Sequence, residues 1–313
     1  MANNPSHDHH FVPVFYLKKW IVAPEKRLVE FAKRDHGGVS GRWTGPKGTG
    51  YARFLYDAKD GVAPSLEETF FEPTDTKAAV AMQTFFCPGP YLEWERPVRS
   101  AWTRFLLTMM MRHPEDLDTF RRTMQADWTN LNDEMREAYL RGRDPDMPET
   151  AEEWWEQNRD GFMETATLRI LRTLMDHENV GGRINSMDWS TVIMTPSKHP
   201  LLTSDRPLLM TDTLTEPDAF IMLPLSPTRL FIAVRREETL DKIAVWPIEE
   251  LVMEINMEVV GRAERFVFAS DMSQARFIRN RFGQQRVRTL FHDLEARRAA
   301  DRAGLLGPGG TRR

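Results

Sequence analysis

The sequence lacks the features that mark an exported or membrane-spanning protein. Its 313 residues include a single cysteine, Cys87, so an internal disulfide is excluded. No run approaches the roughly 18 consecutive apolar residues that a membrane-spanning helix needs. The polar start of the chain has no basic-then-apolar order of a secretory signal. These absences predict a cytoplasmic protein that does not enter a membrane.

Motifs of several common enzyme classes are absent as well. One cysteine cannot supply a Cys/His zinc pattern. The Gly-rich stretch 36–50 does not end in the Gly-Lys-Ser/Thr of a phosphate-binding loop, and we expect it to be an irregular loop. The dinucleotide-binding pattern Gly-x-Gly-x-x-Gly does not occur either. Zinc fingers, P-loop enzymes and dinucleotide-dependent enzymes are therefore not expected.

Charge is spread unevenly along the chain, although the net charge is only −4. Residues 114–164 hold fifteen Asp or Glu against six Arg, whereas residues 276–313 hold ten Arg against three acids. An Arg-rich C-terminus of this kind can neutralise the phosphates of a nucleic acid or dock on an acidic partner. It can equally pair with the acidic helices of the same chain or of a second copy, so a homo-oligomer is one expectation.

Secondary-structure signals predict an α+β fold. Strand patterns occur at both ends of the chain, over residues 27–33, 53–56, 189–194, 208–211, 220–223, 229–234 and 265–269. Helix signals dominate between them. We expect a single α+β domain over 1–290, whose mixed or antiparallel sheet is built from N- and C-terminal strands. A large, acidic, all-helical insertion occupies about 97–178. Residues 291–313 are expected to form a basic C-terminal helix and a disordered tail.

Three short motifs carry a resemblance to a known family. The first is a His, a Pro three residues later and then Tyr-Leu, present as His10 to Leu17 with Trp20 three residues further on. The second is the turn Thr203-Ser204-Asp205-Arg206-Pro207, and the third is Pro224-Leu225-Ser226-Pro227. With an Arg-x-Pro at Arg112, these motifs resemble the domain-of-unknown-function family 4238. The resemblance implies an intracellular, mainly microbial protein, and it brings no activity to carry over.

Five polar residues are the candidates for a functional site. His10 precedes a helix begun by Pro13, and the positive helix end favours a neutral imidazole that can bind a metal or act as a base. The alternative is that His10 bonds a backbone carbonyl. Glu68 and Glu72 are four residues apart on a predicted helix that ends at Pro73, where they either clamp a divalent cation or form a solvated edge.

Asp205 and Arg112 complete the candidate set. Asp205 follows an apolar run, where it serves as a ligand or general base, or else as an ordinary turn residue. Arg112 ends a long apolar helix, where it pairs with the helix dipole or clamps a phosphate or carboxylate. His113 has no evident partner in the sequence, and we expect it at the surface.

Two functions remain open on these residues. The first is a metal-assisted hydrolase, for which a phosphodiester or a nucleic acid is one candidate substrate. In it His10, Glu68, Glu72 and Asp205 bind the metal, and His10, Asp205 and Arg112 act in catalysis. Oxygen ligands with one imidazole suit Mn, Mg or Fe. The second is a non-catalytic binding protein, in which the same motifs join the two halves of the sheet and the acidic insertion and basic tail make partner contacts.

Overall fold

A computed structural model describes residues 7–34, 37–57, 65–87, 95–128, 131, 133–195 and 197–303. Its helices are α1 (Val14–Leu17), α2 (Glu72–Thr84), α3 (Arg96–Met111), α4 (Pro114–Asp127), α5 (Asp133–Gly142), α6 (Ala151–Met175), α7 (Glu178–Asn185), α8 (Glu237–Ala244), α9 (Ile248–Gly261), α10 (Ala275–Arg281) and α11 (Leu290–Arg302). Its strands are β1 (Asp8–His10), β2 (Leu28–Arg34), β3 (Gly38–Thr44), β4 (Tyr51–Arg53), β5 (Asp188–Ile193), β6 (Thr203–Ser204), β7 (Leu209–Met210), β8 (Phe220–Ser226), β9 (Arg229–Val234) and β10 (Phe266–Ala269).

The strands form three antiparallel sheets. One four-stranded sheet has the order β3-β2-β10-β6 and joins N-terminal strands to C-terminal ones, as expected. A second, in the order β5-β9-β8-β7, uses C-terminal strands alone. A short pair, β1 with β4, completes the set in the described part of the chain. Helices fill the middle of the chain, so the α+β class is confirmed.

The Gly-rich stretch 36–50 is not a loop throughout. Within it β3 pairs with β2 from Gly38 opposite Arg34 to Thr44 opposite Leu28, and it forms the edge of its sheet. Gly41 permits this pairing, because a Cβ at that position would lie 2.8 Å from the ring of Phe31 and 2.9 Å from the sulfur of Met272. The prediction of a loop was therefore wrong for residues 38–44, since glycine here serves close packing as well as turns.

The chain divides into two compact units, each assembled from three segments. Unit 1 comprises residues 1–55, 71–113 and 175–287, and unit 2 comprises residues 56–70, 114–174 and 288–313. Among the described residues, unit 1 contains all three sheets. It also contains α3, which was expected to belong to the helical insertion. Unit 2 contains α4, α5 and α11 with nearly all of α6. The expected disordered end of the chain, beyond residue 303, lies outside the described residues.

Each four-stranded sheet of unit 1 has its own apolar core. Val29, Phe31 and Val267 of the first sheet pack with Ile278 of α10 and Phe282 just after it. In the second sheet, Leu230, Ile232 and Val234 lie at every second position of β9, on one face of the strand, and pack with Leu251 and Ile255 of α9. The ends of these strands therefore bring residues far apart in the chain together.

Candidate functional site

Three family motifs meet at one buried point of unit 1. The hydroxyl of Tyr16, from the first motif, lies 2.6 Å from Thr203 Oγ1 of the second and donates to Pro224 O of the third at 2.8 Å. Burial raises the pKa of the Tyr16 hydroxyl, which keeps its proton for this bond. Trp20 adds a bond from its indole N–H to Leu201 O at 3.1 Å. The motifs therefore join the N-terminal helix to the C-terminal strands.

Asp205 lies directly after β6 and accepts three backbone hydrogen bonds. Oδ1 accepts from the N–H of Glu264 at 3.1 Å, and Oδ2 accepts from Arg265 at 2.6 Å and Phe266 at 3.1 Å. The N–H of Asp205 donates to Phe266 O at 3.1 Å. The residue thus continues the contact between β6 and β10 after their ladder ends.

His113 is the polar partner of Asp205 that the sequence did not reveal. Its Nε2 lies 3.4 Å from Asp205 Oδ2, and its Nδ1 lies 3.1 Å from Nη2 of Arg206. Because a guanidinium only donates, Nδ1 accepts and Nε2 carries the proton that points at Asp205. Arg206 is itself paired with Glu264. The prediction that His113 lies at the surface was wrong, since it is 2% exposed.

The surroundings of Asp205 keep its carboxyl ionised. Burial alone raises the pKa, but the contact with His113 and the N–H groups of Arg265 and Glu264 outweigh it, so the pKa lies below its ordinary value of 3.8. A buried His–Asp pair of this kind is familiar from general-base catalysis. Here Asp205 and His113 are both almost fully buried, and adjacent Ser204 uses its Oγ to accept the N–H of Arg206 at 3.1 Å. The arrangement therefore suits a structural cross-link.

Arg112 binds a carboxylate, as one of its predicted roles requires, but that carboxylate is Asp75 of the protein itself. Its Nη1 and Nη2 donate to the two carboxylate oxygens of Asp75 at 2.9 and 3.1 Å, and Nη2 also donates to His10 O at 2.8 Å. The guanidinium, 1% exposed, lies 4.6 Å from the centre of the Phe71 ring. Burial raises the pKa of Asp75, against the opposing effect of Arg112. This bidentate pair ties α2, α3 and β1 together.

His10 is held by backbone rather than by other candidate side chains. Its Nε2 lies 3.4 Å from Lys47 O, and its ring centre lies 5.6 Å from that of Tyr51. Burial lowers the pKa of His10 below 6.5, and the charge of Arg112 lowers it further, while the bond to Lys47 O acts in the opposite direction. A neutral imidazole was expected from the sequence, but the carbonyl contact is the alternative that was left open there.

The four expected metal ligands do not form one cluster. Glu68 lies in a π-helical turn, Glu67–Phe71, and Glu72 begins α2, so Pro73 stands in the first turn of a helix instead of ending one. Both glutamates are exposed. Among the described residues, which include His10 and Asp205, no three His, Cys, Asp or Glu are placed to hold a metal ion. The spacing of the two glutamates predicted that they share one helix face, but it could not predict how far they lie from His10 and Asp205.

The residues that sequence analysis missed are the partners of those it found. Asp75 and Glu264 lie in ordinary amphipathic surroundings, and no motif distinguishes them. Arg112 was marked by the Arg-x-Pro motif, and its neighbour His113 lies between the marked Arg and Pro. That position is the one signal that could have drawn attention to His113.

A positively charged surface of unit 1 lies on the first four-stranded sheet and α10. Residues 275–286 hold four Arg and no Asp or Glu. Arg279 Nε donates to Val39 O of β3 at 3.3 Å, Lys33 Nζ of β2 lies 5.4 Å from the centre of the Phe282 ring, and Arg281 lies 4.7 Å from that of Phe277. We call Lys33, Arg276, Arg279 and Arg281 the basic face.

The cations of the basic face are available to a ligand. Lys33, Arg276 and Arg279 are exposed and Arg281 is half-buried. None of the four forms an ion pair with any carboxylate in the part of the chain that the structure describes. By contrast, Arg42 on the opposite side of β3 is bound by both oxygens of Glu30, at 2.8 and 3.1 Å. The face therefore presents charge that the described residues leave uncompensated.

The Arg-rich C-terminal helix is engaged within unit 2. Arg298 lies 3.4 Å from Asp127 of α4, and Arg302 pairs with the same carboxylate. The Phe291 ring, fully buried, packs on Phe120 of α4 with ring centres 4.7 Å apart. This is the docking on the chain's own acidic helices that the charge pattern left open as an alternative.

Comparison with known proteins identifies the family of the chain. The sequence model of the family described as "Protein of unknown function (DUF4238)" matches residues 8–273. No curated protein and no solved structure matches the chain. In the described residues, every helix is too short or too polar to cross a membrane.

Proposed function

We propose a function for this chain, which belongs to the DUF4238 family of proteins of unknown function. The proposal is based on where the charged side chains of the chain lie. The proposed function is the binding of nucleic acid by the basic face, without catalysis. The observation that carries it is a group of four cations on one surface, three of them exposed and Arg281 half-buried, with no carboxylate partner among the described residues.

The chemistry of the face favours a polyanion as its ligand. Arginine side chains bind phosphate with two parallel N–H groups, and their affinity for a phosphate backbone is additive over neighbouring charges. At physiological salt a charge is screened within about 8 Å, so a local cluster acts on a bound strand although the whole chain carries −4. A single cysteine fits a reducing compartment, and we place this activity in the cytoplasm.

The hydrolase hypothesis has less support from the same residues. The candidate acid and cation, Asp205 and Arg112, are buried and hold other groups of the protein, as shown by their contacts with backbone N–H groups and with Asp75. Substrate cannot reach a group in that position without local unfolding. The binding-protein alternative needs no such group, and it assigns the family motifs to the joining of the sheet.

The test is a charge reversal with a matched control. We expect the double substitution Arg276→Glu and Arg279→Glu to raise the Kd for a fluorescein-labelled 20-nucleotide strand at least about tenfold, because two phosphate contacts become repulsive. Arg236→Glu with Lys242→Glu changes the charge equally on two exposed residues in and next to α8, and should leave the Kd unchanged. Fluorescence anisotropy measures both. Equal losses in the two variants, or no binding by the unmodified chain, would contradict the proposal.

A further inference from the structure

We infer that the nucleic acid bound by the basic face is single-stranded and that Trp43 stacks on one of its bases. The inference rests on the proposed function and adds the class of ligand. It is carried by a second feature of the same surface, an exposed aromatic ring on the edge strand of the sheet.

Trp43 and the basic face share one side of the sheet. In an antiparallel pair, residues directly opposite each other point to the same face. Trp43 is opposite Val29, and Lys33 is opposite Val39. Val29 packs in the core formed with Ile278 of α10, so this is the side that α10 covers. The ring of Trp43 therefore emerges on the α10 side of β3, where the arginines lie.

The ring is open to a ligand. Trp43 is 45% exposed. With the residues that the structure describes, its side chain makes no hydrogen bond, cation–π or ring contact. By contrast, Trp20 and Trp102 of unit 1 are fully buried. An apolar ring kept in water without a partner is the kind of surface on which bases stack.

The spacing along β3 suits a nucleic-acid strand that contacts both the arginines of α10 and the ring of Trp43. Arg279 is bonded to Val39, four residues from Trp43, which is about 13 Å along an extended strand. A phosphate backbone laid along this edge meets cations at one end and the indole at the other, a few nucleotides apart. Bases in a duplex are already stacked on each other, so they cannot use the ring without unpairing. This is why the geometry points to a single strand.

The experiment compares two labelled ligands, a 20-nucleotide oligodeoxythymidine and a 20-base-pair duplex. Stacking predicts that Trp43→Ala weakens binding of the single strand about 5- to 150-fold and leaves duplex binding unchanged. Trp43→Phe should retain most of the affinity. Trp246→Ala is the matched control, because Trp246 is 49% exposed but lies just before the start of α9, whereas Val260, which packs in one core with Ile278 of α10, lies near the other end of that helix.

Each outcome has a definite meaning. If Trp43→Ala changes the Kd of the single strand by less than about twofold, or weakens both ligands equally, the inference is wrong while the proposed function stands. If neither ligand binds the unmodified chain, both fail. Trp43→Leu keeps an apolar side chain without a ring, so it decides the matter should the alanine variant fold poorly, as judged by circular dichroism.

Discussion

Asp205 and Arg112 direct their polar side-chain atoms into the protein rather than towards solvent. Asp205 serves three backbone N–H groups and His113, and Arg112 serves Asp75 and the carbonyl of His10. Buried polar groups of this kind are costly to leave unpaired, so their removal is felt mainly in stability. At the scale of the residue, substitutions at these positions are therefore expected to affect folding.

Asp205→Asn tests the structural role of the carboxylate. Its amide group would face N–H donors, so we expect a loss of about 3 kcal/mol in the free energy of unfolding. Because the folded pKa of Asp205 is lowered, its contribution is present above the unfolded pKa and disappears as the pH falls through the folded value. Urea denaturation measures the loss, and Asp271→Asn, at an exposed position, is the control. A change below about 0.5 kcal/mol would contradict this role.

His10 is expected to make stability depend on pH near neutrality. Its folded pKa is below 6.5, so as the pH falls the unfolded chain takes up the proton first and stability decreases. His10→Gln should therefore lose less stability than the unmodified chain between pH 7 and pH 5. Thermal denaturation at several pH values measures the difference, with His199→Gln at an exposed site for comparison. Parallel pH curves for His10→Gln and the unmodified chain would refute the expectation.

At the scale of the element, α11 and β3 illustrate two different effects of tertiary contacts. The arginines of α11 left open either an external partner or the chain's own acidic helices. In the structure Arg298 and Arg302 contact Asp127, and Phe291 is buried against Phe120. The glycines of β3 suggested a loop, yet pairing with β2 makes a strand. In both cases the local pattern permits several structures and the neighbour selects one.

Phe291 should anchor α11 to unit 2 more strongly than its arginines do. Phe291→Ala removes a fully buried ring, and we expect it to lower the free energy of unfolding by about 3–5 kcal/mol. Leu290→Ala, the neighbouring and 52% exposed residue, should change it by no more than about 0.5 kcal/mol. Guanidinium denaturation followed by far-ultraviolet circular dichroism distinguishes them. Equal effects of the two substitutions would mean that α11 is not docked through this ring.

The sequence was most informative where a pattern is local. The apolar run 229–234 predicted β9 with its observed bounds, Arg229–Val234, and the family motifs marked His10, Arg112 and Asp205. The partners of these residues could not be found, because Asp75 is 37 residues from Arg112 and His113 is 92 residues from Asp205. Only the packing of the chain determines which pairs meet, and for that reason the expected metal cluster could be proposed from residue types but was not formed.

At the scale of the whole molecule, the family motifs and the proposed ligand surface have separate roles. The motifs meet in the interior, where Tyr16 contacts Thr203 and Pro224. The basic face lies at the surface. Its Lys33 falls within the family match, and its three arginines lie beyond the end of that match at residue 273. The interior contacts maintain the fold, and the surface charge supplies the binding that we propose.

The most direct test of the nucleic-acid proposal is the salt dependence of binding to the 20-nucleotide strand. Four phosphate contacts predict a slope of log K against log salt of about −2.8, since each contact contributes about −0.7 for a single strand. Arg276→Glu with Arg279→Glu should reduce the slope to about −1.4 or less, and Arg236→Glu with Lys242→Glu should leave it unchanged. A slope near zero, or one that the first variant does not alter, would contradict binding by the basic face.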